Sequence, residues 1–548
     1  MRVYQKKGDF SVTGISGTYV VMLGFNLPKE DTDKLLGFAI HRTDHTENEN
    51  YFLRGFKTFK ETEPNPYPGA LYPTYEHPVQ SFQWADYTSK PDHDYTYKCI
   101  PLTGKPKNMK QKRAVKIRIQ TESEDSGIHA VYFNRGVAGS QAYTRKFGYK
   151  TPEQVPNQEA FIWLSRGLEE AIYKIIDTAN SPEYGLRASV YEFDYYPVLE
   201  AFKRATDSGA DVKIIYDSRK DEPKDASDEA IEWTGIRPLM IRRTKPKSYI
   251  SHNKFIILLK NNKPIEVWTG STNFTNGGIF GQANVGHLVR DEQIAKKFYG
   301  YWLELKKDEP KLKNLKNWVE SNTPDPPNSP YPPNTITPLF SPRNTYNVLD
   351  WYATQMDQAK ETVCFTSAFS VNFRFSQILA TKKNYLRYVM LDKKVNNIEL
   401  FSQDPNNIIS IGAHLKEGLY RWTREILTDY DHWVKYMHLK FMLLDPLSDN
   451  PTVITGSANF SEPSTNRNDE NMLVIQGNKR VADIYMGEFF RLFHHFYFRY
   501  VMNNQKAPAG SQAKNKSYLK PDNSWTKKYY DVGSIKEKQR LLFSQNLS

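Results

Sequence analysis

Residues 251–284 read SHNKFIILLKNNKPIEVWTGSTNFTNGGIFGQAN, which is two short apolar runs joined by the turn KNNKP. His252 and Lys254 open the first run two residues apart, so in an extended strand their side chains share one face. The second run leads into Ser271 and Asn273, which the predicted hairpin returns toward that face. An imidazole, a fixed cation and two polar groups placed together suit a phosphate.

The same constellation recurs in residues 436–471, YMHLKFMLLDPLSDNPTVITGSANFSEPSTNRNDEN. His438 and Lys440 repeat the first pair, and Gly-Ser-x-Asn returns with Ser457 and Asn459. The offset is 186 residues for the histidines, lysines, serines and asparagines alike. A constellation repeated at one fixed spacing predicts an internal duplication.

The composition describes a multidomain globular protein. A chain of 548 residues is too long for a single core. The hydrophobic content of 39% and the abundance of Tyr and Phe favour folded, strand-rich domains over disorder. The net charge of +12 fits an anionic partner such as nucleic acid or a lipid headgroup, although the excess is modest for this length.

The cysteine content and the hydropathy of the chain narrow the class of protein further. Cys99 and Cys364 lie in apolar runs, which excludes a disulfide framework and a cysteine-based zinc site. The N-terminal residues MRVYQKKGDFSV lack the apolar core of a signal peptide. No apolar run approaches the roughly 20 residues that span a bilayer. We therefore expect a cytoplasmic protein without a transmembrane segment.

The N-terminal part of the chain predicts an all-β domain. Residues 1–120 contain six strand-like runs separated by turn residues, a pattern typical of a β-sandwich. The run FQWADYTSKPDHDYTYKCIPL resembles a fibronectin type III or immunoglobulin-like core. That resemblance implies a binding or structural module with an unknown partner. Residues 121–160 are interpreted as a bridging segment.

The pattern then changes to alternating helices and strands. Residues 161–321 predict an α/β unit with a largely parallel sheet. A proline-rich linker is predicted over 322–343, followed by a second α/β unit over 344–505. Residues 506–548 are predicted to form a basic tail that is ordered only in part.

The doubled motif, His-x-Lys-x4-Asp followed by Gly-Ser-x-Asn, resembles that of the phospholipase D superfamily over roughly residues 160–505. The resemblance implies two α/β halves packed face to face as a pseudo-dimer, with one active site at their seam. A chain that carries both motifs can then work as a monomer. The sequence offers no convincing metal-ligand cluster, so we expect a metal-independent enzyme without a cofactor.

Phosphodiester cleavage assigns roles to these residues. One imidazole can attack phosphorus to form a phosphohistidine, and the other can protonate the leaving oxygen. By analogy with two-motif members of the family, we assign His252 as the nucleophile and His438 as the acid/base, with the reverse left open. The lysines hold phosphate oxygens, and the remaining motif residues contact the phosphate or form turns. The residues concerned are Lys254, Lys440, Asn273, Asn459, Ser271 and Ser457.

The two copies are unequal. In the second copy Asp445 completes the motif as a structural residue, and Glu470 and Asn471 follow. The resemblance implies that Glu470 orients an imidazole. In the first copy Leu259 replaces the Asp and Asn284 replaces the Glu. An Asn284 amide oxygen can still accept a hydrogen bond from an imidazole, and Gln282 is a second candidate for that role.

Three functions follow from these residues. A phosphodiesterase that hydrolyses a phospholipid, or transfers its headgroup, is narrowly favoured. A metal-independent nuclease with the same catalytic core is the second. The third is a non-catalytic scaffold whose first site has degenerated, suggested by Leu259 and the missing Glu.

Overall fold

A computed structural model describes residues 1–67, 69–136, 141–148, 150–327, 331–412, 437–504 and 518–547. Within these ranges the chain forms an N-terminal all-β region, two α/β halves and a C-terminal segment that returns to the all-β region.

The N-terminal region consists of two facing sheets. The first contains, in spatial order, Arg2–Lys7, Phe10–Ser16, Val21–Asn26 and Gln83–Asp86. The second contains Asn108–Gln111, Asp94–Lys105, Leu35–Asp44 and Glu49–Phe52, with Val115–Gln120 also paired to Asp94–Lys105. Apolar side chains of both sheets share one core, so the region is the predicted sandwich. The six runs omitted the first two strands: Arg2–Lys7 is polar and largely exposed, whereas Phe10–Ser16 is buried throughout although it contains two serines, a threonine and a glycine.

The first half is built on an eight-stranded sheet. Its spatial order is Asp125–Ser126, His129–Phe133, Val285–Val289, Lys263–Gly270, Lys254–Lys260, Tyr184–Val190, Asp211–Asp217 and Met240–Arg243. Only the last three strands run parallel to one another, so the sheet is mixed rather than largely parallel. The antiparallel remainder comes from the motif hairpin, whose tight turn at Asn261 and Asn262 reverses the chain.

The second half is built on a seven-stranded sheet. Its order is Thr335–Ser341, Glu470–Gln476, Thr452–Gly456, Phe441–Leu444, Thr362–Ser367, Leu386–Leu391 and Asn407–Ile411. The order and strand directions repeat those of the first sheet from His129–Phe133 onward. This correspondence confirms the predicted duplication.

Helices cover the two sheets. In the first half they are Gln141–Phe147, Glu159–Ser165, Leu168–Asp177, Tyr196–Asp207, Asp221–Thr234, Glu292–Lys306 and Lys313–Asn322. In the second half they are Asn347–Gln358, Phe373–Ala380, Ile398–Phe401, Glu462–Asn466 and Lys479–Asn504. The run FIWLSRGLEEAIYKIIDTAN, which has helical spacing throughout, is divided in two because Arg166 and Gly167 adopt left-handed backbone conformations.

Each half begins with a strand, at the sheet edge or next to it, that the sequence boundaries did not include. His129–Phe133 lies inside the predicted bridging segment and pairs with Val285–Val289. Thr335–Ser341 lies inside the predicted linker and pairs with Glu470–Gln476. Pro338 is tolerated there because an edge strand leaves one side of its backbone without a partner strand.

The last elements tie the regions together. Helix Lys479–Asn504 contacts both halves: the Tyr485 hydroxyl lies 2.9 Å from Nδ1 of His287 and donates to Thr455. The C-terminal segment contains the short helix Asn523–Tyr529 and the helix Ile535–Ser544. Trp525 and Tyr529 are part of the sandwich core, so this portion of the predicted tail is packed.

Candidate active site

The two histidines meet at the seam between the halves. The backbone N–H of His252 donates to the carbonyl of Asp469 at 2.9 Å, and that of His438 donates to the carbonyl of Ala283 at 3.1 Å. Asp469 and Ala283 immediately precede Glu470 and Asn284. Each catalytic candidate is therefore hydrogen-bonded by its backbone to the opposite half.

The side chains cross the seam in the same way. Nδ1 of His252 lies 2.9 Å from a carboxylate oxygen of Glu470. Nδ1 of His438 lies 3.0 Å from the carbonyl oxygen of Ser271 and 3.2 Å from the amide oxygen of Asn284. The carboxylate that the first motif lacks thus reaches the first histidine from the second half. The two ring centroids are 6.2 Å apart at an interplanar angle of 82°.

These contacts set the tautomers of both rings. A carbonyl oxygen only accepts hydrogen bonds, so Nδ1 of His438 carries a proton and donates it to Ser271. An ionised Glu470 fixes the proton of His252 on Nδ1 in the same manner. Each neutral ring then keeps the lone pair on Nε2, the nitrogen needed for attack on phosphorus or for proton transfer.

Two buried lysines flank the rings symmetrically. Nζ of Lys254 donates to the His252 carbonyl and Nζ of Lys440 to the His438 carbonyl, each at 2.7 Å. Burial lowers the pKa of Lys254 to about 8. Burial, together with repulsion by Lys254, lowers the pKa of Lys440 well below its usual range. An anion bound between the lysines would offset both effects.

Burial also shifts the other titratable groups. It raises the pKa of Glu470 to about 8, against the attraction of Lys254. It lowers the pKa of both histidines well below the usual range, and the neighbouring lysines lower them further. The resting site therefore holds neutral imidazoles, and a bound phosphate anion would favour the protonated, cationic form of the two lysines.

The motif serines support the groups that orient the histidines. Oγ of Ser457 donates to Glu470 at 2.7 Å, and Oγ of Ser271 donates to the amide oxygen of Asn284 at 2.8 Å. The Asn284 amide nitrogen also donates to the carbonyl of Gly278 at 2.8 Å. This last contact explains why an amide stands there, because a carboxylate has no proton for Gly278. Of the two candidates, Asn284 contacts His438; the Gln282 backbone carbonyl accepts from Asn134.

The three motif asparagines occupy different surroundings. Asn273 donates its amide to the carboxylate of Glu192. The Oδ1 atom of Asn459 is buried and has no hydrogen-bond partner among the described residues. Asn471 crosses the seam, donating to Asn253 at 2.9 Å and accepting from Thr269.

Asp445 lies away from the histidines and fixes the start of a neighbouring strand. Its carboxylate accepts from the backbone N–H groups of Lys360, Glu361 and Thr362 at 2.9, 2.7 and 3.0 Å. Leu259, at the same motif position in the first half, is buried in the apolar core.

Several supporting residues escaped the sequence analysis. Asp217 accepts from the backbone N–H of Ser251 at 2.7 Å, and Asp392 accepts from that of Met437 at 2.9 Å. Each aspartate thus holds the residue before a catalytic histidine. The available signal was an aspartate at the end of the second parallel strand in each half, in VKIIYD and YVMLD.

A second group missed from the sequence is a buried ionic cluster at the seam. The Asp469 carboxylate forms ion pairs with Arg219 and Arg243, and all three side chains are at most 2% exposed. Ala283, whose carbonyl accepts from His438, occupies the position that corresponds to Asp469. This ionic cluster therefore has no equivalent beside His438.

In the described part of the chain, the potential metal ligands that lie close together are in the sandwich and not beside the two histidines. Among the described residues, the one group of three close potential ligands is Asp44, Glu47 and His93, in the sandwich. Lys90 already lies against the Glu47 carboxylate there. None of the helices in the described ranges combines the length and the apolar character that crossing a bilayer requires.

Comparison with known proteins gives a family match. A model described as the phospholipase D-like domain of cardiolipin synthase matches residues 175–304 and 352–493. No curated protein matches the sequence.

Solved structures with related folds share little sequence with this chain. A phosphatidylserine synthase of Haemophilus influenzae is 12% identical with a TM-score of 0.43, covering 70% of this chain and 94% of its own. A polyphosphate kinase of Porphyromonas gingivalis is 10% identical with a TM-score of 0.39, covering 64% of this chain; the chain spans about half of that kinase, 49%. The phospholipase D family member Nuc of Salmonella typhimurium is 24% identical with a TM-score of 0.22, covering 26% of this chain and 87% of its own.

Proposed function

The chain belongs to the phospholipase D superfamily, and from that premise we propose that it cleaves or transfers the phosphodiester of a phospholipid through a phosphohistidine on His252. The observation that carries the proposal is the hydrogen bond from Nδ1 of His252 to Glu470. When Glu470 is ionised, this contact leaves Nε2 of a ring beside two lysines with the lone pair that attack on phosphorus needs. The matching family model takes its description from cardiolipin synthase, which supports a lipid substrate.

The first step forms the covalent intermediate. Nε2 of His252 attacks phosphorus, and the bond from phosphorus to the leaving alcohol breaks. Lys254 and Lys440 stabilise the charge on the non-bridging oxygens. The protonated His438 gives its Nε2 proton to the leaving oxygen. The nearby phosphate anion raises the pKa of His438 and so supports that protonated state.

The second step releases the intermediate. The now neutral Nε2 of His438 takes a proton from water or from an acceptor alcohol, whose oxygen attacks phosphorus. The phosphorus–nitrogen bond breaks and restores His252. Water gives hydrolysis, whereas an alcohol gives headgroup transfer, the chemistry that a synthase needs.

Glu470 fits the nucleophile rather than the acid. The phosphorylated imidazole carries positive charge, which the carboxylate stabilises. His438 must instead bind and lose a proton at Nε2 in each cycle. The neutral carbonyl and amide at its Nδ1 stabilise the protonated ring less than a carboxylate would, so that proton is released more easily. This division supports the assignment of His252 as nucleophile over the reverse.

The experiment has two parts. The first offers the protein, with EDTA present, mixed phospholipid vesicles and, separately, single- and double-stranded DNA and RNA. We expect turnover of phospholipid; cleavage of nucleic acid alone would support the nuclease, and cleavage of neither would support the scaffold.

The second part traps the intermediate by quenching in alkaline detergent, which preserves the phosphorus–nitrogen bond, and uses a phosphodiester that carries a p-nitrophenol leaving group and labelled phosphorus. That leaving group needs no proton, so we expect His438→Ala to accumulate labelled protein. We expect no label on His252→Ala and wild-type behaviour from His45→Ala, an exposed histidine in the sandwich. Label on His252→Ala but not on His438→Ala would reverse the assignment.

A further inference from the structure

The loops around the catalytic histidines form one rim. We define this rim as five of these loops, residues 218–221, 244–250, 368–373, 392–397 and 466–468; the neighbouring loop 191–195, which carries the half-buried Glu192 and Asp194, is not counted in it. Each segment leaves or enters its sheet at the end that carries the catalytic residues, because Val190 lies opposite Lys254 in the ladder. The parallel strand ends at Asp217 and Arg243 are adjacent, as are those at Ser367 and Leu391.

The rim is strongly cationic. Its exposed charged side chains are six cations and one carboxylate, Asp221. The cations are Lys220, Lys245, Lys247, Lys393, Lys394 and Arg467. The chain as a whole carries +12 over 548 residues, so this concentration around the active site is far above the average.

Two aromatic side chains project from the same rim. Phe369 is 38% exposed and Phe373 is 52% exposed. The segment that carries them contacts the segment of Lys393 and Lys394, because the Asn397 amide donates to the carbonyl of Val371 at 3.1 Å. Exposed phenyl groups beside lysines are typical of a surface that enters the interface of an anionic membrane.

We propose that this rim docks on an anionic phospholipid bilayer, with its lysines among the headgroups and Phe369 and Phe373 inserted at the interface. The inference rests on the proposed lipid substrate for its biological meaning, but it concerns binding and is separable from catalysis. Docking in this orientation turns the end of the two sheets that carries the buried Lys254 and Lys440 toward the headgroups.

The interior of the site favours a bilayer over a nucleic acid as the partner. The Glu192 carboxylate accepts from Asn273 at the site, and its charge partly opposes the lowering of the pKa of Lys254 and Lys440 by burial. A nucleic-acid strand crossing the site would bring phosphates on either side of the scissile one toward this carboxylate. A phospholipid presents a single phosphodiester and avoids that repulsion.

The test measures sedimentation of the full chain with sucrose-loaded vesicles. We expect binding to vesicles of phosphatidylcholine with 30% phosphatidylglycerol, little binding to phosphatidylcholine alone, and loss of binding at high salt. Each lysine near an anionic leaflet contributes on the order of fivefold, so Lys393→Glu with Lys394→Glu should weaken binding at least ~30-fold. Phe369→Ser with Phe373→Ser should weaken it about tenfold.

A matched control makes the same charge change on the sandwich, at the exposed Lys105 and Lys107. Turnover of a water-soluble phosphodiester reports whether the rim variants keep an intact site. Equal binding to neutral and anionic vesicles, or equal losses in the rim and control variants, would overturn the proposal. Rim-dependent binding of single-stranded DNA without vesicle binding would also overturn it. Vesicle binding by a protein that turns over no phosphodiester would keep the docking surface and reject the enzyme.

Discussion

At the seam, each histidine is hydrogen-bonded to the opposite half, and we call these two sets of contacts the crossings. The two crossings are alike in backbone and different in chemistry. In each, a histidine N–H bonds to the carbonyl before the position where the family motif has Glu. One crossing then supplies the carboxylate of Glu470 to His252, and the other supplies the amide oxygen of Asn284 and a carbonyl to His438. The duplication thus preserved the backbone contacts, whereas a carboxylate is present only in the contacts of His252. The difference fits the two proposed roles, His252 as a nucleophile that becomes cationic and His438 as a base that exchanges a proton.

The largest expected effect comes from neutralising the charged crossing. Glu470→Gln keeps a side chain of the same size but no longer fixes the proton of His252 on Nδ1. We expect kcat/KM on a soluble phosphodiester to fall by roughly 10²–10⁴. Asn284→Ala, which leaves the Ser271 carbonyl on His438, should cost about tenfold or less. Equal losses would mean that the two crossings do not differ in function.

The same substitution should change how stability depends on pH. Burial raises the pKa of Glu470 from 4.5 to about 8, so the folded protein prefers the protonated carboxyl. The stabilisation from this group is complete below pH 4.5 and is lost as pH rises through 8. Glu470→Gln should therefore gain stability relative to wild type across this window, by at most about 5 kcal/mol. Denaturant unfolding at pH 5, 7 and 9 measures the difference; a constant difference would contradict it.

The ionic cluster beside the charged crossing gives the next effect. Asp469→Asn leaves Arg219 and Arg243 buried with one carboxylate fewer, which should destabilise the fold by about 3 kcal/mol. The control is Asp211→Asn, whose ion pair with Arg187 leaves the carboxylate 55% exposed, and it should cost less than about 1 kcal/mol. Similar midpoints for the two variants in urea would show that the cluster does not stabilise the seam.

Sequence reasoning reached the duplication and the paired motifs because these features are local and repeat at a constant offset. It could not decide which histidine Glu470 contacts, since pairing across the seam depends on how the halves pack. It treated Asn284 as a deficiency, whereas the carbonyl of Gly278 requires a donor at that position. Strand Thr335–Ser341 was hidden by the proline-rich sequence around it, and an edge strand accepts its own proline, Pro338. The ionic cluster joins residues 219, 243 and 469, which no local pattern connects.

The described contacts of His438 contain no charged side chain, and the substitution Asn284→Asp would introduce one. Asn284→Asp restores an acidic side chain but turns an oxygen toward the Gly278 carbonyl in place of the donating amide. We expect a loss of about 2 kcal/mol at pH 7, from an unmet buried acceptor. Because the protonated carboxyl can donate to Gly278, the variant should recover stability as pH falls. Unfolding measurements at pH 5 and pH 8 check the sign, and an Asp variant as stable as wild type at pH 8 would refute the explanation for Asn284.

The smallest effect is expected at Asp445, the motif aspartate, which takes part in neither crossing. Asp445 accepts three backbone N–H groups at the start of Thr362–Ser367 and contacts neither histidine in the described structure. Asp445→Asn should lower the free energy of unfolding by about 1 kcal/mol and leave kcat/KM within about twofold. Asp449→Asn, four residues on and 98% exposed, is the matched control and should change neither quantity. A large loss of activity in Asp445→Asn would show that catalysis depends on this strand start, and Leu259 would then mark a functional weakness of the first half rather than a structural substitution.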